Sequence, residues 1–338
     1  MNRRQFFRVL TAASLLTAGL GGVACSQPTA QQPDAPAGAT PFTLGLTYTP
    51  DIQFAPFYVA LEKGYFRDAN LNVTLRHHGA NEQLFGAIQA GEEDLVYAGG
   101  AEVMQARSQD VPLVSVATYY QEYPVVLVVP EDSPIRSAAD LQGRSVGLPG
   151  PYGETWFGLL ALLEQANLTQ DDVEIEYIGY TQQAALTSGQ VDGVMGYINN
   201  DAVRLQSAGV AVRTLSITPE TPPLVSVGLA TTDQTLAAQL APITRLQAAV
   251  DRAILDIVAD PEAAITLSEK HVPGLAAEQQ RTSALATLQA TIPLFGDVET
   301  FGHQDAETWT AMATFLAEMD LLHGPVTATD CFTTQVVD

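Results

Sequence analysis

"DLVYAGGAEVMQARSQDVPLVSVATYY", residues 94–120, holds one complete structural unit. Its two ends are apolar runs rich in Val, Leu and Tyr, the composition of buried strands. Gly99 and Gly100 punctuate the first run, and "AEVMQARSQ" then reads as a short helix. Strand, helix and strand in so short a span is the repeating unit of a mostly parallel α/β sheet. The alternation also runs upstream. "FTLGLTY", 42–48, reads as a strand and "PDIQF" as a turn. A helix follows from about Ala55, with Pro56 tolerated in its first turn and Gly64 ending it. "LNVTLRHH", 71–78, alternates as a strand, and "NEQLFGAIQAG" is a short helix closing at Gly91.

Downstream, the pattern echoes itself. "AIQAGEEDLVYAGG", 87–100, matches "ALTSGQVDGVMGYI", 185–198: helix end, Gly, two residues, Asp, apolar strand, turn. Either the chain holds two similar α/β lobes, or this is a common helix-to-strand link used twice. Two further runs, "YPVVLVVPEDSPI" at 123–135 and "PPLVSVGLATTDQ" at 223–235, bracket the middle of the chain. If both cross between lobes they form a two-strand hinge, a device that permits closure around a ligand. The expected organisation is then 42–125 plus 228–338 as lobe one and 126–227 as lobe two. Helical stretches from residue 236 onward, including "DAETWTAMATFLAEMDLL", cover lobe one.

The 338 residues carry a net charge of -23 with 46% apolar residues. Such a balance suits a globular protein and opposes nucleic-acid binding, because phosphates need Lys and Arg to replace their counterions. The first residues read as targeting. Arg3, Arg4 and Arg8 precede an apolar stretch, Val9 to Leu20, too short for a stable membrane span. "NRRQFFR" resembles a twin-arginine export signal, with Asn2 and Phe7 where Ser or Thr and Leu are usual. "GVAC", 22–25, resembles a lipobox ending at Cys25, with Gly22 in place of Leu. Residues 1–25 are thus expected to be a signal peptide with Cys25 the lipidated residue. Residues 26–41, rich in Pro, Ala and Gln, are expected to be a flexible tether. Cleavage before Cys25 removes three arginines and no acid, taking the charge to -26. With Cys25 lipidated, Cys331 has no partner and no intrachain disulfide forms. The implied location is the outer face of the cell membrane.

No catalytic constellation stands out. His77 and His78 are adjacent on a strand and point to opposite faces. Zinc spacing is missing, so neither a metal nor a cofactor is expected. "GLPGPYGET", 147–155, lacks the Gly-Lys-Ser/Thr ending of a phosphate loop. What remains is a set of polar and aromatic residues at the carboxyl ends of strands, where open α/β sheets bind ligands. These are Asp51, Gln53 and Phe54 after the first strand, and Glu102 after "YAGGA". Tyr119, Tyr120 and Tyr123 lie at the first crossing; Tyr152, Gly153, Glu154, Thr155 and Trp156 follow "GLPG"; Tyr197, Asn199 and Asn200 follow "GVMG". Phe57, Tyr58 and Leu61, on one face of the helix from Ala55, are expected in the core. The aromatic cluster suits a flat heteroaromatic ligand. It suits a phosphate or sugar acid poorly, because the proposed loops carry no Arg or Lys.

"FAPFYVALEKGYFRDANLNV", "AGEEDLVYAGGAEVMQARSQDVPLVSVA", "SAADLQGRSVGLPGPYGETWFGLLALL" and "SGQVDGVMGYINND" together resemble the solute-binding proteins of ABC importers. The branch is the one related to thiamine-pyrimidine synthase, and the likeness covers about residues 42–235 well. The resemblance implies a type II periplasmic-binding-protein fold, two α/β lobes around a cleft, and a monomer that hands its ligand to a membrane ABC permease. "PDIQFAPFYVA", "AEVMQAR" and "YYQEYPV" are similar to the riboflavin-binding members. Thiamine-precursor pyrimidine binders are similar too, but the resemblance associates them with a histidine near Gln53 and Phe54 that this chain lacks; an aliphatic sulfonate is a third ligand class. On the flavin reading Phe54 or Tyr119 stacks on the rings, and Gln53, Glu102 and Asn199 meet the polar edge or the ribityl hydroxyls. Gly150 and Gly153 would let backbone N–H groups approach. Phe54→Ala is expected to weaken binding roughly tenfold or more with the fold intact. The related eukaryotic synthase carries a cysteine-rich motif that is missing here, so an enzyme is not expected; a sensory or adhesive lipoprotein of this fold is a further class.

Overall fold

Two sheets organise the chain. The computed structural model describes residues 29–31, 36–79, 82–217 and 223–337. The signal segment, the lipobox and Cys25 lie outside the described residues. The strands are β1 (Thr29–Gln31), β2 (Thr40–Leu46), β3 (Leu71–His77), β4 (Leu95–Gly99), β5 (Leu113–Thr118), β6 (Val125–Pro130), β7 (Ser145–Leu148), β8 (Glu174–Tyr177), β9 (Gly193–Tyr197), β10 (Val212–Ser216) and β11 (Val227–Thr232). One sheet has the order β1-β3-β2-β4-β11-β5 and the other β10-β6-β9-β7-β8.

The two sheets follow one plan. β2 is paired in parallel by β3 and β4, and β7 in parallel by β8 and β9. Each sheet also holds a reversed strand: β11 runs antiparallel between β4 and β5, and β6 antiparallel between β9 and β10. Both are the first strand after the chain passes from one sheet to the other. A chain that leaves one sheet at a strand's carboxyl end, and enters the facing sheet from the same side, must run against its new neighbours. The described residues immediately ahead of β6 and β11, 119–124 and 223–226, are non-strand.

The sequence echo is real at the level of hydrogen bonds. Gly91 and Gly189 both take left-handed φ angles, +72° and +70°, which close the preceding helix as glycine readily can. Three residues on, Asp94 and Asp192 each exchange with the edge of the central strand. The Thr43 N–H donates to Asp94 Oδ2 at 2.8 Å, and the Ser145 N–H to Asp192 Oδ2 at 2.9 Å. Each aspartate N–H returns a bond, to Thr43 O and Ser145 O respectively. The aspartate therefore locks the start of β4 onto β2 and of β9 onto β7, in the same geometry twice.

Local starts and stops follow the expected chemistry. A 3-10 turn, Ile52–Phe54, is capped by Asp51, whose Oδ1 accepts from the Gln53 N–H at 3.1 Å. It runs into the helix Ala55–Glu62, where residues 55–61 are all buried. A helix apolar on every side belongs inside a core, and Phe57, Tyr58 and Leu61 are core residues as expected. The long helix Asp233–Ala259 kinks at Gln239, just before Pro242. Trp309 and Phe315, on the helix Ala306–Glu318, join a second core that takes residues from both sheets, among them Val96 and Val146. Part of the expected tether lies in strands. Thr29–Gln31 pairs antiparallel with β3, and Thr40–Pro41 already belong to β2. The free backbone groups along β3's outer edge give an extended segment bonds that its composition does not advertise.

Candidate functional site

Carboxyl ends of β2, β3, β4, β7, β8 and β9 converge on one cavity of about 590 Å³ between the two sheets. Its size falls within the range of small-ligand sites, roughly 300–1,000 Å³. Gln53, Phe54, Glu102, Tyr152, Gly153 and Tyr197, all expected at a ligand site, line it, as do Glu154, Thr155, Tyr120 and Asn200. No Lys or Arg is among the lining residues, whereas Glu82, Glu102, Glu154 and Asp201 are.

Five expected residues do not line the cavity. Asp51 is spent on the cap described above. The Tyr119 ring packs behind Tyr97, stacked at 6.1 Å between centroids, and its hydroxyl donates to Gln247 Oε1 at 2.8 Å. Tyr123 donates its hydroxyl to the Glu154 backbone carbonyl at 3.0 Å, fastening the first passage to a helix start. Trp156 is buried in the second core, three residues into the helix Gly153–Gln165, with its ring on the core side. Asn199 is fully buried and donates from Nδ2 to Thr291 Oγ1 at 2.9 Å, tying the end of β9 to the helix Glu278–Thr291. In each case the residue sits next to the strand end, where the rule for open sheets places ligands, but the side chain turns into the packing behind it.

The glycines divide as well. Gly153 has φ +76°, a left-handed value that requires glycine at the entry to its helix. The space above Gly150 is filled instead by the Tyr152 ring: a Cβ there would meet Tyr152 Cε1 at 2.3 Å. Glycine at 150 makes room for the ring rather than for a ligand's approach.

Other lining residues went unread in the sequence: Tyr48, His78, Tyr97, Tyr180, Gln182 and Asp201. Tyr48, His78 and Tyr180 lie just past the ends of β2, β3 and β8, so the strand-end rule applied to every strand would have found them. Tyr48 and Tyr180 meet edge to face at 4.9 Å and 80°, bringing together residues that follow strands of different sheets. Tyr152 and Tyr180 are the exposed rings, at 51% and 38%. Phe54 presents only an edge: it is 2% exposed and touches the rings of His77 and Tyr97.

The two histidines point apart as expected. His77 Nε2 lies 2.9 Å from the Tyr58 hydroxyl and Nδ1 3.0 Å from Tyr48 O. The neutral ring thus donates from Nδ1 to the carbonyl and accepts at Nε2, and burial lowers its pKa to about 4. His78 faces the cavity and bonds Glu93 Oε1 at 2.8 Å. His78, Glu82 and Glu93 are close enough to share an ion, but the Arg76 guanidinium already bridges the two carboxylates at 2.5 and 2.6 Å. The group reads as an ion-pair network centred on Arg76.

Carboxyl groups dominate the electrostatics of the cleft. Burial pushes Glu102 up to about 7 and Asp201 to about 6. Glu102 is held by its helix: as third residue of the turn it accepts the Gly99 N–H at Oε2, 2.9 Å. Glu154 is raised well above the carboxylate range, by burial first and by the charge of Glu102 second.

The family described as NMT1/THI5 like matches residues 51–264. The riboflavin-binding protein RibY of Chloroflexus aurantiacus is 31% identical, over 98% of this chain and 97% of its own length. The formylaminopyrimidine-binding protein of Halalkalibacterium halodurans is 28% identical over 85% of this chain and 88% of its own. The alkanesulfonate-binding protein SsuA from Xanthomonas axonopodis pv. citri, solved with MOPS, superimposes with a TM-score of 0.69 at 18% identity, covering 88% of this chain and 99% of that one. The last match establishes the fold, the type II periplasmic-binding-protein arrangement of two α/β halves.

Proposed function

The chain belongs to the NMT1/THI5 like family, and from that premise we propose that it is a solute-binding protein that captures riboflavin and delivers it to an ABC-type permease. It binds and releases its ligand without chemical change. Its place is outside the cytoplasmic membrane, held by lipid on Cys25, with 42–125 plus 228–338 and 126–227 as the two lobes of a monomer. Among the described residues no helix is long and apolar enough to cross a membrane.

The observation that carries the ligand class is the lining of the cleft: tyrosine and phenylalanine rings, hydroxyls and carboxyls, without a Lys or Arg. An anionic ligand such as a sulfonate would face Glu102 and Glu154 with no cation to offset them. A flat, neutral ring system brings no negative charge to those carboxyl groups and gains from stacking, about 0.5–1.5 kcal/mol per aromatic pair beyond burial. Kinship with RibY over nearly the whole chain favours the flavin within that class. The missing histidine near Gln53 is not an argument against pyrimidines in space, because His77 touches Phe54 and His78 lines the same cavity.

Titration of the protein from Thr40 onward with riboflavin, read by quenching of flavin fluorescence, tests the assignment. Saturable quenching with a dissociation constant of about 1 μM or below, some -8 kcal/mol or better, is expected. Absence of quenching with a thermal shift on adding 4-amino-5-hydroxymethyl-2-methylpyrimidine would transfer the protein to the pyrimidine binders.

A further inference from the structure

Glu154 is the one side chain of the cleft whose chemistry is left open. It is 4% exposed, yet it lines the cavity. Neither Oε1 nor Oε2 has a hydrogen-bond partner of good geometry, the nearby Tyr123 hydroxyl being directed at the backbone carbonyl instead. Its carboxyl lies in the space that glycine leaves at position 99, where a Cβ would come within 1.8 Å of Oε1. The neighbouring titratable groups are Glu102 across the cleft, Tyr123 and Tyr197, and no cation is among them. The Tyr123 hydroxyl is committed to the Glu154 backbone carbonyl. Glu102 has one oxygen committed to the Gly99 N–H.

A buried carboxylate with no partner and a second carboxyl beside it does not stay ionised at neutral pH. Protonated, it has one O–H donor and one C=O acceptor side by side. A lactam edge, C=O beside N–H, presents the complementary pair, and the uracil-like ring of an isoalloxazine carries such an edge. We propose that Glu154, as a carboxylic acid, is the specificity-determining residue of the cleft, reading the lactam edge of the flavin through a paired donor and acceptor hydrogen bond. The inference rests on the flavin reading above and names the group that recognises it. Glu102 is the positioning neighbour: burial is the first cause that keeps the proton on Glu154, and Glu102, held at its helix start, opposes its loss further as it gains charge. The sign follows directly. The neutral acid binds, so affinity is full while Glu154 holds its proton and falls as the pH rises and removes it.

The experiment is a riboflavin titration of the whole mature protein at about pH 6 and about pH 8.5, where loss of one required proton weakens binding by up to tenfold per pH unit above its pKa. With Glu102→Gln in the background, so that Glu154 is the member of the pair left to titrate, binding is expected to weaken at the higher pH, and adding Glu154→Gln is expected to remove that step because an amide cannot ionise. A second arm needs no variant: riboflavin methylated at ring N3, which cannot donate, should bind wild type roughly tenfold or more weakly than riboflavin. Equal affinity for the methylated flavin, or a pH step that persists when Glu154→Gln is added to Glu102→Gln, overturns the assignment while the flavin reading stands. No riboflavin binding at either pH overturns both.

Discussion

Removal of the Tyr152 and Tyr180 rings together, as Tyr152→Ala with Tyr180→Ala, lowers riboflavin affinity by roughly a hundredfold, about 3 kcal/mol. The number comes from two aromatic faces. Each contributes about 0.5–1.5 kcal/mol from stacking and a further share from apolar area taken out of water. These two rings have the most area left to give: they are 51% and 38% exposed, while Phe54, Tyr97 and Tyr120 are buried and Tyr48 and Tyr197 half-buried. Exposure also means their loss should cost the empty protein little. Surface changes of this kind usually stay within about 0.5 kcal/mol, and the one ring contact broken is the edge-to-face pair of Tyr180 with Tyr48. Fluorescence titration reads the affinity and a melting curve reads the stability. A double variant that binds riboflavin as wild type does would remove these tyrosines from the ligand wall.

How far the sequence could be read depended on whether the signal was periodic or directional. Alternation of strands and helices, the glycine that closes each short helix and the aspartate three residues later are local, so the α/β class and the repeated half were visible in residues 87–100 and 185–198. The reversed strands β6 and β11 were visible only as apolar runs, because direction is set by where the chain re-enters a sheet, not by composition. At the site, the strand-end rule found the neighbourhood and half of the side chains. It could not separate Glu154 from Trp156, two positions apart on one helix, since which one faces the cleft depends on the helix's rotation against the core. It missed His78 because the pair with His77 was weighed as possible joint chemistry instead of as one residue per face. The short edge strand Thr29–Gln31 was hidden for a different reason: its partner is the open edge of β3, a backbone feature with no side-chain signature.

Phe54→Ala is the second large effect, and the structure moves it from the ligand to the fold. An alanine here was expected to weaken binding and spare stability. The ring is 2% exposed and sits among Tyr97, His77 and the main core. Emptying such a site removes transfer free energy and leaves a cavity, together about 3–5 kcal/mol. For a chain of this length that lowers the melting temperature by on the order of ten degrees. Loss of ligand binding in this variant would therefore report a loosened cleft as readily as a missing contact. Phe54→Leu separates the two, since it keeps most of the apolar volume and removes the aromatic edge. If the leucine variant melts within a few degrees of wild type and binds riboflavin equally well, Phe54 acts as the backing that holds Tyr97 in place, and the stacking surface belongs to the exposed tyrosines opposite. If instead the leucine variant keeps its melting temperature but loses roughly tenfold in affinity, about 1.4 kcal/mol, the Phe54 edge is itself a ligand contact.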